Sequence, residues 1–350
     1  MKDLLERIAV EGTENRRYEI LEILDEYDIP YELQEIKREF PDFSSSYYHK
    51  SLNAGMMALA AYQSTLACVP DLGDDDLNDF IKEDIYSNLP EDEASIDELI
   101  DEDFDNIYAS VYDFESDNTS YTRKYNTEYL YNIIIKPSKA YKESKNKILF
   151  SAHYDVVYKS TGANDNGSSL AILLRLAIML KESNLNLPIG IVFFDGEERG
   201  GIGSKAYIDK YVYTKELKDE LTLVNLDVCG CGEHIVIVDN IKNRQNDAML
   251  LLDEKVRRSY SIVEAPSFPF SDASIFKSND IGTLSISVFP DADVKLLNAK
   301  DTNDILFGRK HFGSYIFDYM HNGPYDNIAY INYDIMEKTL SYIINCLKID

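Results

Sequence analysis

The 350-residue chain is short of cysteine, of basic side chains and of long apolar runs, and each shortage closes off a class of function. Its four cysteines, Cys68, Cys229, Cys231 and Cys346, are too few and too scattered for a disulfide framework, so reduced thiols are expected. Cys229 and Cys231 form a C-x-C around Gly230 rather than a C-x-x-C, which gives little ground for a metal or redox pair. Lys and Arg number 35 against 62 Asp and Glu, a formal net charge of -27. The electrostatic term that dominates phosphate binding would be repulsive, which argues against nucleic acid and against an anionic membrane surface as partners. The longest candidate for a membrane span, Ala54 to Pro70, is too short and carries Gln63 and Ser64; it reads as a buried helix. The first residues, MKDLLERIAVEGTENRRYEILEIL, mix charges of both signs without the apolar centre of a secretory signal, so a cytoplasmic location is expected.

What is present changes in character along the chain. Residues 1–35 place apolar side chains at Leu4, Leu5 and Ile8, then at Ile20, Leu21, Ile23 and Leu24, as one or two amphipathic helices broken near Gly12 would. They read as an N-terminal helical layer. Residues 36–126 are anomalous, because Asp71 to Asp117 holds 19 acidic side chains against Lys82 alone, which supplies 18 of the 27 net negative charges. This stretch is either a solvated surface insertion or a lid over a cleft, attractive to basic substrates or a basic partner. Recurrent aromatics (Phe80, Tyr86, Phe104, Tyr108, Tyr112, Phe114) favour a folded arm over a free tail.

Residues 127–350 read as a catalytic core, in which short β-branched runs alternate with helical stretches. Strands are expected at Tyr129 to Lys136, Lys147 to Ala152, Pro188 to Phe194, Leu221 to Leu226, His234 to Val238 and Gly282 to Val288. Helices are expected at Gly167 to Glu182, capped by Asp165 and Asn166, and at Asp247 to Ser259. The alternation predicts an α/β fold with a mostly parallel, mixed open sheet flanked by helices on both faces. In such a sheet ligands gather beyond the carboxyl ends of the strands. Three strands here run into ionisable residues at that end: His153 and Asp155; Asp195, Glu197 and Glu198; and Asp227. The polar turn at 162–166 adds Asp165.

Singly, each of these has a dull explanation: a structural histidine, a helix cap, solvated glutamates. Jointly, one His and several carboxylates delivered to one edge match the N/O donor set of zinc, with positions left open for water. Adjacent residues of an extended backbone point opposite ways, so one of Glu197 and Glu198 is expected to ligate while the other holds the water. Asp165 is the candidate to bridge two ions, and Asp155, two residues beyond His153, is placed to orient its ring.

The segments Ser-Ala-His153-Tyr-Asp155, Gly-Ala-Asn-Asp165-Asn-Gly-Ser, Phe-Phe-Asp-Gly-Glu197-Glu198, Asn-Leu-Asp227 and His321-Asn-Gly-Pro-Tyr-Asp326-Asn resemble, in order, the motifs of the aminopeptidase Y and glutamate carboxypeptidase family of two-zinc exopeptidases. The resemblance covers about residues 128–340 and implies a single zinc-peptidase domain carrying an acidic insertion. It implies two zinc ions, one on His153 and Asp227 and one on Glu198 and His321, bridged by Asp165. Glu197 would then be the general base of a zinc-bound hydroxide that cleaves an N-terminal peptide bond, the substrate being a peptide or aminoacyl compound. His311 lies ten residues before His321, but Pro324, Asp326 and Asn327 fit the family pattern after His321. His49 and His234 lack such context and read as ordinary surface or packing residues. In Phe270-Ser271-Asp272-Ala273-Ser-Ile-Phe276 an alanine stands where the family's Ser-Asp-His stretch has histidine, leaving Asp272 as a supporting residue. Two other readings remain: a single-zinc acyltransferase like the glutaminyl cyclases, and a binding protein on a retired peptidase fold. Side-chain preference and oligomeric state are not legible.

Overall fold

The computed structural model describes residues 1–41, 125–157, 159–183, 185–266, 268, 270–297, 316–321 and 323–349. The helix expected at 54–70, the acidic run 71–117, Cys68, His49, His311 and residues 298–315 lie outside the described residues. The chain divides into two units, Met1–Ile36 with Leu130–Asp350, and Lys37–Tyr129. The strands and helices that carry the candidate site's residues belong to the first.

Eight strands form one sheet: β1 (Tyr31–Pro41), β2 (Tyr125–Ile135), β3 (Lys147–His153), β4 (Ile189–Phe194), β5 (Leu221–Leu226), β6 (His234–Asn240), β7 (Val263–Glu264) and β8 (Gly282–Phe289). Their order is β1-β2-β4-β3-β5-β8-β6-β7. Strands β4, β3, β5 and β8 run parallel, whereas β2 joins β4 and β6 joins β8 antiparallel. Because β3, β4 and β5 are covered on both faces, their sequences KILFSAH, IGIVFF and LTLVNL are nearly continuous apolar runs.

Alternate residues feed two cores. Ile148, Phe150 and Ala152 of β3 and Ile191 and Phe193 of β4 pack with helices α1 (Lys2–Ile8), α2 (Thr13–Glu26), α3 (Ser169–Glu182) and, at the C-terminus, Tyr333–Leu347. Leu149, Val192 and Phe194 face the other way, against Tyr207 and Ile208 of α4 (Ile202–Tyr211) and Ala273 and Phe276 of α5 (Asp272–Ser278). Ala273, at the family's histidine position, is a buried packing residue. Among the described residues no helix is long and apolar enough to cross a membrane.

The six expected strands are present with bounds shifted by a few residues at most, but β1 and β7 were not anticipated. Strand β1 escapes a hydrophobicity pattern because Leu33 is exposed and Gln34 buried. The Gln34 amide donates to the Ala206 carbonyl at 2.8 Å and accepts from the Asn132 side chain at 2.9 Å, so polar pairing replaces apolar burial there. The N-terminal helices therefore stop at Glu26, and the chain is extended from Tyr31. Asp247 to Ser259 is not one helix: a 3-10 turn, Asp247–Leu252, precedes a separate helix, Glu254–Tyr260, which the Asp253 side chain caps by accepting from the Val256 amide at 2.9 Å.

Candidate metal centre

Register brings the candidate residues together. His153 is the last residue of β3 and lies opposite Phe194, the last of β4, so Asp195 to Glu198 emerge beside it. On the other side Ser151 pairs with Asn225, which sets Asp227, two residues on, level with His153. Three parallel strands thus deliver a histidine and carboxylates to one edge.

His153 is buried, and its Nε2 lies 3.2 Å from Asp165 Oδ1 and 3.6 Å from Asp227 Oδ1. Its other nitrogen, Nδ1, lies 3.3 Å from both the carbonyl and Oδ1 of Asp155. Burial disfavours the imidazolium, but hydrogen bonds to Asp155, Asp165 and Asp227 outweigh it and hold the ring well above its ordinary pKa. Asp155 also anchors the neighbouring loop, since its Oδ1 and Oδ2 accept the backbone N–H groups of Glu197 and Glu198, each at 3.0 Å.

Those amides correct the expected geometry of the glutamate pair. Residues 197–200 form a turn rather than a strand continuation, entered through Gly196 at φ 75° and closed by the Glu197 carbonyl accepting from the Gly200 and Gly201 amides. No extended backbone is left there whose pleat would point the two side chains opposite ways. Glu197 and Glu198 each bring a carboxylate oxygen within a 4.8 Å cluster that includes a His153 nitrogen. Burial is the main cause that raises both carboxyls well above their usual range, and the surrounding carboxylates add to it.

Asp165 and Asn166 are not helix caps. A π-helical turn, Ala163–Ser168, precedes α3, and Asp165 carries non-helical dihedrals with its side chain aimed at the histidines. The Asp165–Asn166 peptide is cis. Asp165 Oδ2 accepts the His321 backbone N–H at 3.0 Å and lies 3.7 Å from His321 Nε2. Burial opposes ionisation of Asp165, but His153 and His321 hold it down at about 2. His321 is 50% exposed, and its Nε2 also lies 3.4 Å from Glu198 Oε2.

Three donor clusters have ligand atoms within 4.8 Å of one another: His153, Asp165 and Asp227; Asp165, Glu198 and His321; and His153, Glu197 and Glu198. Asp165 is common to the first two. Glu198 Oε1 is buried without a hydrogen-bond partner among the described residues. A buried carboxylate oxygen left unpaired beside imidazole nitrogens is the donor chemistry a divalent cation satisfies. Asp272 is likewise buried with both oxygens left unpaired among the described residues, and burial, with Asp155 and Asp227 adding to it, pushes it up to about 7 against the pull of His153 and Ser204.

The loop carrying Asp165 is held by residues that sequence reasoning had not assigned to it. Asp326 Oδ1 accepts the Asn164 and Asp165 amides at 2.8 and 3.2 Å, and its Oδ2 accepts the Ser160 hydroxyl at 2.8 Å. Asn166 donates to the Leu226 carbonyl at 3.1 Å and accepts the Val228 amide at 3.3 Å, tying the loop to the end of β5. The motif around His321 contained Asp326, which was the available signal. Cys229 and Cys231 are buried thiols raised to about 12, chiefly by burial, and belong to none of the donor clusters. His234 stands apart on the surface, 3.2 Å from Asp291.

The model of peptidase family M28 matches residues 132–347. Aminopeptidase YwaD of Bacillus subtilis is 36% identical over 144 residues, 38% of this chain and 31% of that protein, so the match spans about a third of the relative's length. Among solved structures, the aminopeptidase from Aneurinibacillus sp. strain AM-1 superposes with a TM-score of 0.57 at 15% identity, covering 99% of this chain and 92% of that one. BSAP, a zinc aminopeptidase from Bacillus subtilis, does so with a TM-score of 0.57 at 14% identity, covering 99% and 93%. These two likenesses establish the shared fold.

Proposed function

We propose, on the premise that this chain belongs to peptidase family M28, that it is a two-zinc aminopeptidase hydrolysing the N-terminal bond of a peptide. The observation that carries the reading is the sharing of Asp165 between two donor clusters, each ending on a different histidine. His153 and Asp227 would hold one ion, Glu198 and His321 the other, and Asp165 would lie between them. Zinc ions so held would supply Lewis acidity toward a peptide carbonyl and would lower the pKa of an attacking water.

The remaining steps belong to the chain's own groups. Glu197 takes the proton of the attacking water on its carboxylate and returns it to the leaving amine. Asp155 sets both partners of that exchange, fixing the His153 ring through Nδ1 and anchoring the Glu197 amide, so that base and ligand keep one geometry. Burial, with Asp227, Asp272 and Asp155 adding to it against the pull of His153, raises the affinity of Glu197 for a proton, which suits a group that must carry one between two partners.

Wild type and Glu197→Gln, assayed on aminoacyl p-nitroanilides with metal content measured in parallel, test the reading. Loss of about 10²- to 10⁴-fold in rate with metal retained is expected. Equal inactivity of both proteins with metal bound would refute an enzymatic role. About one zinc per chain together with cyclisation of N-terminal glutamine would assign a cyclase instead.

A further inference from the structure

Arg16 is the one buried Arg or Lys among the described residues, with no exposed surface at all, on a face of α2 otherwise occupied by Ile20, Ile23 and Leu24. No carboxylate lies within ion-pair distance of it among the described residues. Its partners are backbone carbonyls: Nε donates to Ile8 at 2.9 Å, and Nη2 donates to Gly162 at 2.9 Å and to Thr161. Nη1 is buried without a hydrogen-bond partner among the described residues. Burial draws the guanidinium down to about 10, against the pull of Asp326, Asp165, Asp155 and Glu198, so it remains a cation at neutral pH.

A buried guanidinium without a carboxylate is costly, and a neutral side chain could fill the same volume. The planar fork, however, reaches the last residue of α1 with one nitrogen and two successive loop carbonyls with another, which a lysine ammonium on a single stem cannot reproduce. The loop is built around this approach. Gly162 sits at φ 49°, and a Cβ there would lie 2.6 Å from Arg16 Nη2 and 2.3 Å from the Asp165 carbonyl oxygen.

We propose that Arg16 is a positioning residue for the metal centre: by gripping the Thr161 and Gly162 carbonyls it sets the loop that presents Asp165 between its two histidines. The inference rests on the two-zinc reading above and adds a residue outside the segment 132–347 that matches the family. The N-terminal helices are thereby part of the site's geometry as well as of its core.

The test measures zinc affinity of the full chain by chelator competition, together with hydrogen exchange at the amides of residues 162–167 in the metal-stripped protein. Wild type is compared with Arg16→Met, Arg16→Lys and the packing control Ile20→Val. Arg16→Met is expected to weaken zinc about 10- to 100-fold and speed exchange in the loop, Arg16→Lys to fall between, and Ile20→Val to match wild type. A folded Arg16→Met with wild-type affinity, or an equal loss in Ile20→Val, overturns the proposal. Should Arg16→Met not fold, Arg16→Lys decides: wild-type affinity, or failure of this variant to fold as well, leaves Arg16 a structural residue only. A wild type that binds no zinc overturns the reading of the site itself, a result distinct from any difference among the variants.

Discussion

Stripping the metal and raising the pH should destabilise this fold, and the structure gives the size of the effect. Asp272 is raised from 3.8 to about 7 and Asp326 from 3.8 to about 6, both chiefly by burial. A carboxyl whose folded pKa lies above its unfolded value binds its proton more tightly in the native state. Its stabilising contribution is full below the unfolded value and is lost as pH rises through the folded one. Between about pH 5 and about pH 8 the linkage relation gives a loss of roughly 3 kcal/mol from Asp272 and roughly 1 kcal/mol from Asp326. Glu197, Glu198 and Asp227 are raised and act in the same direction. His153, also raised, contributes stability below its unfolded pKa that is lost as pH climbs. Asp165 runs the other way, but its window lies between about 2 and 3.8, below the range compared. Thermal melts in chelator at constant ionic strength, followed by far-ultraviolet circular dichroism, should therefore give a Tm lower by roughly 10 °C at about pH 8 than at about pH 5. With zinc present the order reverses, because ligands must lose their protons to bind it. Asp272→Asn should remove that residue's share, roughly 3 kcal/mol of the loss, and so reduce the slope in the metal-free protein. A metal-free Tm that is flat or rises across the range would refute the reasoning.

Gly162→Ala places a Cβ against the Asp165 carbonyl and Arg16 at a positive φ, so a loss of more than about 2 kcal/mol in urea melts is expected; tolerance within a few tenths would show that the loop relaxes freely. A recess of about 30 Å³ beside Asp227, with Val228, Phe268, Phe270, Phe289 and Met320 in its wall, should favour a small apolar N-terminal residue. Alanyl over lysyl p-nitroanilide by at least about tenfold in kcat/KM is expected, and the opposite preference would exclude the recess as the side-chain site.

How much of this was legible depends on distance along the chain. His153, Glu197, Glu198 and Asp227 were readable because they sit at the ends of β3, β4 and β5, which parallel pairing makes neighbours whatever the loops do, and Asp165 and His321 through their surrounding motifs. What positions the donors was not. Asp326 reaches the amide of Asn164 across 162 residues and Arg16 reaches Gly162 across 146, and no local pattern encodes such pairs. The extended backbone expected at the glutamate pair is absent for a local reason: Gly196 turns the chain immediately after β4, so strand periodicity has already ended. Strand β1 failed because its buried position is a glutamine satisfied by side-chain and carbonyl partners rather than an apolar residue.

The supports share a physical logic that the donors alone do not disclose. Gathering Asp155, Asp165, Glu197, Asp227, Asp272 and Asp326 in one place needs compensation, yet the described residues supply one buried guanidinium and no buried ammonium. Asp155 and Asp326 are instead each satisfied by a pair of backbone N–H groups, which offset charge without adding a cation that would compete with an incoming dication. Among the described residues Glu198 Oε1 and both Asp272 oxygens receive no such bond, so the compensation stops short at the heart of the cluster. Where the amides end, the remaining negative charge is what attracts metal. The same shortfall makes the metal-free fold sensitive to pH, so metal affinity and pH sensitivity should fall together when Asp272 is neutralised.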